Sequence, residues 1–498
     1  MLAWAMLLAG PCPALADRRD LLLDNVTIVS PEREAPVVDG WVAVRNGRIA
    51  ALGGGNPGLD DSWADATVID GRALYLTPGL IDSHVHLAAV PGFPFPVPDA
   101  LLPLAGKYEA QLPKSYLYFG FTTVIDLNVT DRGFLERFEH SPLHPDVYHC
   151  GGALVVANGY PMAFLPAESR FDVFSNFLYD PEQADEIPDR FEPEDHSPAA
   201  TVARVADSGG ICVKTHWETG FGPLSGLPTP SKAMIAEVIR ESRARGLVVT
   251  MHANSLAAHR FATQAGVDVI VHGLWNAPRV PEGLPGAVTT VLDTTVEKRI
   301  GYMPTMQVLA GMKLMFEPEF LDDPSLAAVL PAALIDWYRS PDGRWFAEEL
   351  QAEFGGLPDE RIAALYESDG GPLSMSTATV AYLAERDTRF LFGSDTPSSP
   401  TYGNPPGLNG YLEMQELAAA GLSPRQLLVA ATIANARAFK LDDRYGSVEP
   451  GKIANLLLLR ENPLASVSAW DTIEMVVLQG VPVERGTLSA SPGGNERH

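Results

Sequence analysis

The chain is poor in cysteine and in positive charge, and past its first residues it has no long apolar run. Only Cys12, Cys150 and Cys212 occur in 498 residues, and their spacing matches no zinc-finger pattern. Cys150 and Cys212 both fall in apolar strand-like runs, where two buried free thiols are expected rather than a disulfide. Lysine and arginine number 36 against 62 acidic residues, a formal charge of −26. Such a surface repels the phosphates of nucleic acid and excludes it as a partner; the surplus carboxylates, including the acidic stretch 180–196, read as solvated surface. No later segment has eighteen consecutive apolar residues, so no membrane span is expected. There is no G-x-S-x-G elbow, which removes a serine hydrolase, and no repeat or low-complexity tract.

What is there is a globular composition, 46% apolar and 20% charged, in a chain long enough for one large barrel and a smaller subdomain. Met1 to Ala16 is apolar and ends in Ala14-Leu15-Ala16, which reads as a secretory signal too short to span a bilayer. The expected address is therefore periplasmic or secreted, with the cytoplasm as the alternative. Pro11 separates Gly10 from Cys12 and spoils a lipoprotein box. Residues 17–77 and 445–490 read as short strands separated by turns. As the two ends of one chain, they are expected to form a single β-sandwich subdomain.

Between them, residues 78–444 alternate. Strand patterns fall at 80–87, 122–128, 147–157, 210–217, 247–253, 267–273, 301–307 and 389–394, with helical periodicity clearest at 231–245 and 255–265. Eight strands alternating with helices indicate an α/β (β/α)8 TIM barrel, whose chemistry sits at the C-terminal strand ends. Inserts near 88–118 and 309–370 carry Phe93, Phe95, Phe316, Trp337, Tyr338, Trp345 and Phe346. They are expected over the barrel mouth, as lids or pocket walls or as a local aromatic mini-core.

The chemistry-bearing residues stand at strand ends. His84 and His86 flank Val85 in an apolar run after Thr77-Pro78-Gly79, so both imidazoles point to one strand face and can chelate one ion. His252 and His272 close the fifth and sixth strand runs, and Asp395 follows the eighth. A buried polar group there needs a reason. Lys214 lies inside the apolar fourth run, where a cation is costly unless paired. His216, two residues on, shares its face nearer the mouth and can reach a substrate; Tyr160, after the third strand, is a further pocket candidate. Asp82 shares the parity of the first histidine pair and reads as a support beneath it. His140, His144, His149, His196, His259 and His498 have no such placement and read as ordinary surface or core residues.

The ordered set His84, His86, Lys214, His252, His272 and Asp395 resembles the amidohydrolase superfamily. The phrases Pro78-Gly79-Leu80-Ile81-Asp82, Gly120-Phe121-Thr122-Thr123-Val124 and Gly446-Ser447-Val448-Glu449-Pro450-Gly451-Lys452 are also similar to it. Within it the chain looks most like the imidazolonepropionase-like branch of Xaa-Pro dipeptidase-type and ochratoxinase-type amidases, through Val213-Lys214, His252-Ala253-Asn254 and Ala265-Gly266-Val267-Asp268 up to His272-Gly273. Asn455 departs from it, standing where the family usually has aspartate.

The resemblance implies two divalent ions, zinc first, with manganese, iron or cobalt as alternatives. It also implies a CO2-derived carbamate on Lys214 bridging them. One ion would take His84, His86, Asp395 and the carbamate; the other would take His252, His272 and the carbamate. A bridging hydroxide would attack the scissile carbonyl, with Asp395 as general acid and base. The implied activity is hydrolysis of an amide bond in a small molecule such as a dipeptide or N-acyl amino acid, by a homo-oligomer. The same dinuclear core also serves lactonases, carboxylesterases and phosphotriesterases. A barrel that has lost catalysis and serves as a scaffold would tend to lose ligands, and the set here is complete. A mononuclear deaminase would show H-x-x-E near the fifth strand, where this chain has Ser255 after His252.

Overall fold

The strand runs at the two ends of the chain pair with one another. The structure, a computed structural model, describes residues 19–275, 277, 283–398 and 400–491; the expected leader, residues 1–16, lies outside them. Leu21–Ile28, Val37–Arg45, Arg48–Gly54, Thr67–Asp70 and Tyr75–Pro78 join Leu456–Leu459, Ile473–Leu478 and Val481–Glu484 in one eight-stranded sheet. Tyr75–Pro78 makes the join, parallel to Leu21–Ile28 on one side and antiparallel to Leu456–Leu459 on the other. The expected sandwich thus takes the form of one continuous hydrogen-bonded sheet of mixed direction. Side-chain alternation sends Leu76, Leu456 and Leu458 into one apolar cluster, and Leu457 and Leu459 into the larger core shared with the helices. The departure at Asn455 has a local cause. Its side-chain amide donates to the Asp146 carboxylate at 2.8 Å while its oxygen accepts from the Gln479 backbone N–H, a pairing that a second carboxylate could not make.

Past Gly79 the chain enters a TIM-barrel-like α/β unit. Strands β1 (Leu80–Val85), β2 (Phe121–Asp126) and β3 (Asp146–His149) form one parallel ladder. A second is formed by β4 (Cys212–His216), β5 (Val248–His252), β6 (Val269–Val271) and β7 (Gly301–Met303). Helices fill the crossovers: α1 (Leu102–Tyr118), α2 (Arg132–Glu139), α3 (Pro198–Asp207), α4 (Lys232–Ala244), α5 (Leu256–Ala265) and α6 (Gly286–Glu297). The periodic stretches 231–245 and 255–265 are α4 and α5. Ser231 and Ser255 cap their N-termini, and Gly266, at φ 76°, ends α5 in the left-handed conformation. No described helix is long and apolar enough to cross a membrane.

Two expected strands are shorter than their apolar patterns. The run 147–157 keeps its ladder only to His149, because Gly151 turns the backbone to φ 65°; Leu154 then pairs with Thr215 as a single bridge. The run 389–394 forms no ladder at all. Its backbone still bonds to both neighbours: Leu391 N–H donates to Tyr302, and Ser83 N–H donates to Phe392. Single bridges link Phe390 to Tyr302 and Thr396 to Val85. Among the described residues the barrel wall is therefore two parallel ladders joined by bridge pairs, not an uninterrupted eight-stranded ladder.

The two inserts share a core. The second half of the expected 88–118 insert is helix α1 itself. The remaining loop lies against the helices of 309–370: the Tyr338 hydroxyl donates to Pro91 O at 2.7 Å, and Trp345 Nε1 donates to Gly92 O at 2.9 Å. Phe93 packs edge-on against Trp337 at 5.0 Å. Tyr338 and Phe316 are fully buried, so these aromatics serve chiefly as a local mini-core.

The expectation of free thiols is overturned: Cys150 and Cys212 form a disulfide across 62 residues. The physical reason is register. Ile211 N–H donates to His149 O and Leu154 N–H to Lys214 O, which sets Cys150 beside Cys212 with their Cα atoms 4.4 Å apart. Sequence patterning alone does not reveal which residues of neighbouring strands stand opposite. Closing a loop of 62 residues is worth about 4 kcal/mol in the chain-entropy account. The Cys150→Ser/Cys212→Ser double variant should accordingly unfold several degrees lower in a thermal scan, and reductant should shift the parent protein in the same direction.

Candidate metal centre

The fourth strand sorts its residues by alternation. Cys212, Lys214 and His216 face inward, with the cysteine in the apolar interior beside Ile125 and Val248 and the other two progressively nearer the mouth. β5 pairs with β4 in parallel register, setting His252 against His216. β6 adds His272 one residue past its end. Each ladder therefore delivers its polar groups at the same height, the C-terminal rim of the wall.

His84 Nε2 and His86 Nε2 lie 2.9 and 3.0 Å from the same oxygen of Asp395. These three residues offer ligand atoms all within 4.8 Å of one another. Lys214 Nζ stands 3.5 Å from His84 Nε2. His272 Nδ1 is 3.7 Å from the other Asp395 oxygen. The His272 ring lies 5.4 Å from that of His84 and 4.3 Å from that of His252. All six expected ligand residues thus line one buried space. His216 and Tyr160 complete its wall, at ring distances of 5.4 and 4.7 Å from His252. Of the other histidines, His140, His144, His149, His196 and His259 lie away from this cluster in their hydrogen-bond and ring contacts; His498 lies outside the described residues.

Supports hold the donors in place. Asp395 sits at φ 55° and His272 at φ 81°, left-handed positions that side chains other than glycine rarely take. The Asp395 N–H donates to His84 O at 2.7 Å, and the His272 N–H donates to Met303 O at 2.9 Å. The Thr305 hydroxyl is 2.8 Å from His272 Nδ1. Asp82 lies beneath, as expected, accepting from the backbone N–H groups of His84 and Ser394 and from the Ser394 hydroxyl. Gly393 must be glycine: an added Cβ would fall 2.5 Å from Met303 Sδ and 2.7 Å from His84 Cβ.

Burial governs the charges. It pushes the Lys214 ammonium down to about 8, with Asp395 opposing, and Lys214 makes no ion pair among the described residues. The salt bridge that would ordinarily explain a lysine in an apolar strand is therefore missing. Burial also holds His84 down at about 3 despite Asp395, and lowers His252 as well. It would raise Asp395, but the facing His84, His86 and His272 keep that carboxyl well below its ordinary range. The result is neutral imidazoles at His84, His252 and His272 beside an ionised Asp395 carboxylate. His84 Nδ1 is buried without a hydrogen-bond partner. Four lone-pair-bearing imidazoles, one carboxylate and an unpaired amine form a costly grouping by themselves. They are a suitable one for divalent cations that take nitrogen and oxygen ligands, so the residues fit the implied metal.

A sequence profile of the amidohydrolase family matches residues 75–483. The chain belongs to the amidohydrolase family. A segment of 76 residues is 41% identical to urease subunit alpha of Yersinia pestis (strain Pestoides F), covering 14% of this chain and 13% of that protein; the chain thus matches only about an eighth of that relative's length. Among solved structures it superposes on a Xaa-Pro dipeptidase with bound methionine at a TM-score of 0.64 and 18% identity, covering 93% of this chain and 100% of that one. The A. niger ochratoxinase superposes at 0.64 and 17%, covering 94% and 96%. Molinate hydrolase gives 0.64 and 16%, covering 95% and 97%. At these identities the likeness is one of fold.

Four residues of this amidohydrolase's site escaped the sequence reading: Glu218, Asn254, Trp275 and Thr305. Asn254 Nδ2 lies 3.4 Å from His252 Nε2, and the Trp275 ring 5.0 Å from that of His272. Asn254 and Trp275 follow their histidines by two and three residues in irregular chain, where alternation carries no information. Glu218 is different. The spacing Lys214, His216, Glu218 is visible in the sequence, although Glu218 itself stands past the strand end at His216 and its approach to the site is shown by its contact with His252.

Proposed function

We propose that this amidohydrolase cleaves the amide C–N bond of a small molecule, such as a dipeptide or an N-acyl amino acid, with two divalent ions held by His84, His86, Lys214, His252, His272 and Asp395. The observation that carries the reading is the donor group His84, His86 and Asp395, all within 4.8 Å, with a buried lysine beside it that lacks an ion pair. Zinc is the metal these donors suit first. Bound there, the ions would supply Lewis acidity that acidifies water and polarises the scissile carbonyl.

The chain's own residues account for the rest. Lys214, its amine partly free of its proton near neutral pH, adds to CO2 and releases a proton, turning an unpaired buried cation into an anion with two donor oxygens. Asp395 accepts a proton from the attacking water as the C–O bond forms, then delivers it to the nitrogen as the C–N bond breaks. His216, whose Nδ1 has no partner, and Tyr160 orient the substrate against that pair. Asp82 and Thr305 keep Asp395 and His272 in their strained backbone positions.

Export is also part of the reading. It is supported by the apolar leader together with a disulfide, which persists in oxidising compartments. Metal quantification beside a panel of dipeptides, N-acyl amino acids, lactones, carboxylic esters and phosphotriesters tests the function. Two equivalents of divalent metal with turnover confined to the amides is the expected result. A metal-free active protein, or turnover confined to esters or phosphotriesters, would overturn it.

A further inference from the structure

Glu218 is only 5% exposed, and it stands two residues past His216, beyond the C-terminal end of the fourth strand. One of its carboxylate oxygens accepts from the Gly220 N–H at 2.9 Å. The other, Oε2, is buried without a hydrogen-bond partner among the described residues and lies 3.8 Å from His252 Nε2, beyond hydrogen-bond reach. No lysine or arginine pairs with it among the described residues. An unpaired buried carboxylate oxygen is expensive. This one also faces the site, since its nearest basic atom belongs to a residue that lines it.

The neighbouring wall suits a cation. Tyr160 packs at 4.7 Å on His252, with Phe164 and Phe221 each 5.6 Å from the Tyr160 ring. Phe164 and Phe221 are 46% and 40% exposed at the rim. Aromatic faces next to a carboxylate attract an ammonium and cover the apolar group attached to it. A second carboxylate brought to the same place would be repelled.

We propose that Glu218 receives the free amino group of the substrate, so that this enzyme acts on amides bearing an α-ammonium and an apolar side chain, as in a dipeptide, in preference to N-acyl amino acids. The proposal rests on the amide-hydrolase reading for its substrate series but not for its geometry. Glu218 is a specificity-determining residue in it, and the metal set is complete without it.

The test compares leucyl-alanine with N-acetyl-leucyl-alanine on the zinc-loaded full-length protein, on Glu218→Gln and on Glu218→Asp. The parent should favour the free amine in kcat/KM by about tenfold or more, as a charge-assisted hydrogen bond warrants. Glu218→Gln should bring the ratio close to one, and Glu218→Asp should keep part of it, with zinc content equal in all three. An unchanged ratio in Glu218→Gln overturns the proposal; so does loss of a zinc equivalent, which would make Glu218 a metal ligand. If Glu218→Gln does not fold, Glu218→Asp and the parent ratio decide. If neither compound is cleaved, the amide reading has failed. Calorimetric binding of the same two compounds then decides this one: tighter binding of the free amine that is lost in Glu218→Gln sustains it, and equal affinities overturn it.

Discussion

Asp395→Asn should lower kcat by roughly 10²- to 10⁴-fold, the range lost with a positioned proton carrier, and it should leave the fold intact. The substitution keeps size and shape, and the amide oxygen can still stand as a donor oxygen beside His84 Nε2 and His86 Nε2, which face one carboxylate oxygen at 2.9 and 3.0 Å. What it removes is the capacity to take a proton from water and return it to the leaving nitrogen. The measurement is steady-state turnover beside metal content and a thermal scan. Metal retained with turnover lost is the signature of proton transfer, whereas metal and turnover lost together would reduce Asp395 to a ligand. Parent-like kcat would remove it from the chemistry.

Lys214→Ala carries the second large effect. The parent buries an ammonium with no ion pair among the described residues, its pKa pushed down to about 8 by burial. Alanine relieves that desolvation but also removes the amine proposed to become the bridging anion. Metal content should fall below two equivalents and turnover should drop by roughly three orders of magnitude or more, since a poorly filled metal site forfeits Lewis-acid catalysis worth several kcal/mol. Formate or acetate should restore part of both, because a small free carboxylate can occupy the vacated volume and offer the same oxygens. A variant that binds two equivalents and turns over unaided would overturn the carbamate reading.

Which parts of this molecule were legible depended on how far each inference had to reach. Alternation is local, so the inward row through Lys214 and His216 and the pairing of His84 with His86 could be read directly, while Glu218 repeats the spacing just past the strand end. Strand ends were legible where an apolar run stopped at a histidine, as at His252 and His272. Opposition between strands was not: nothing in the two runs around Cys150 and Cys212 records that residue 211 bonds back to residue 149. The apolar run before Asp395 reads as a strand yet forms no ladder, and its left-handed exit at φ 55° follows from packing against β1 rather than from residue preference. Trp275 and Thr305 sit in irregular chain, where position is decided by tertiary contact alone.

The strand Tyr75–Pro78 runs through Gly79 into β1, and it is completed on one side only by Leu456–Leu459. During vectorial synthesis those partners leave the ribosome about 380 residues after Tyr75–Pro78. The strand that leads into His84 and His86 therefore waits, with one edge open, until Leu456–Leu459 have been made. Loading of the proposed ions would wait for that strand, and a message truncated before codon 456 should yield a product that holds no stoichiometric metal.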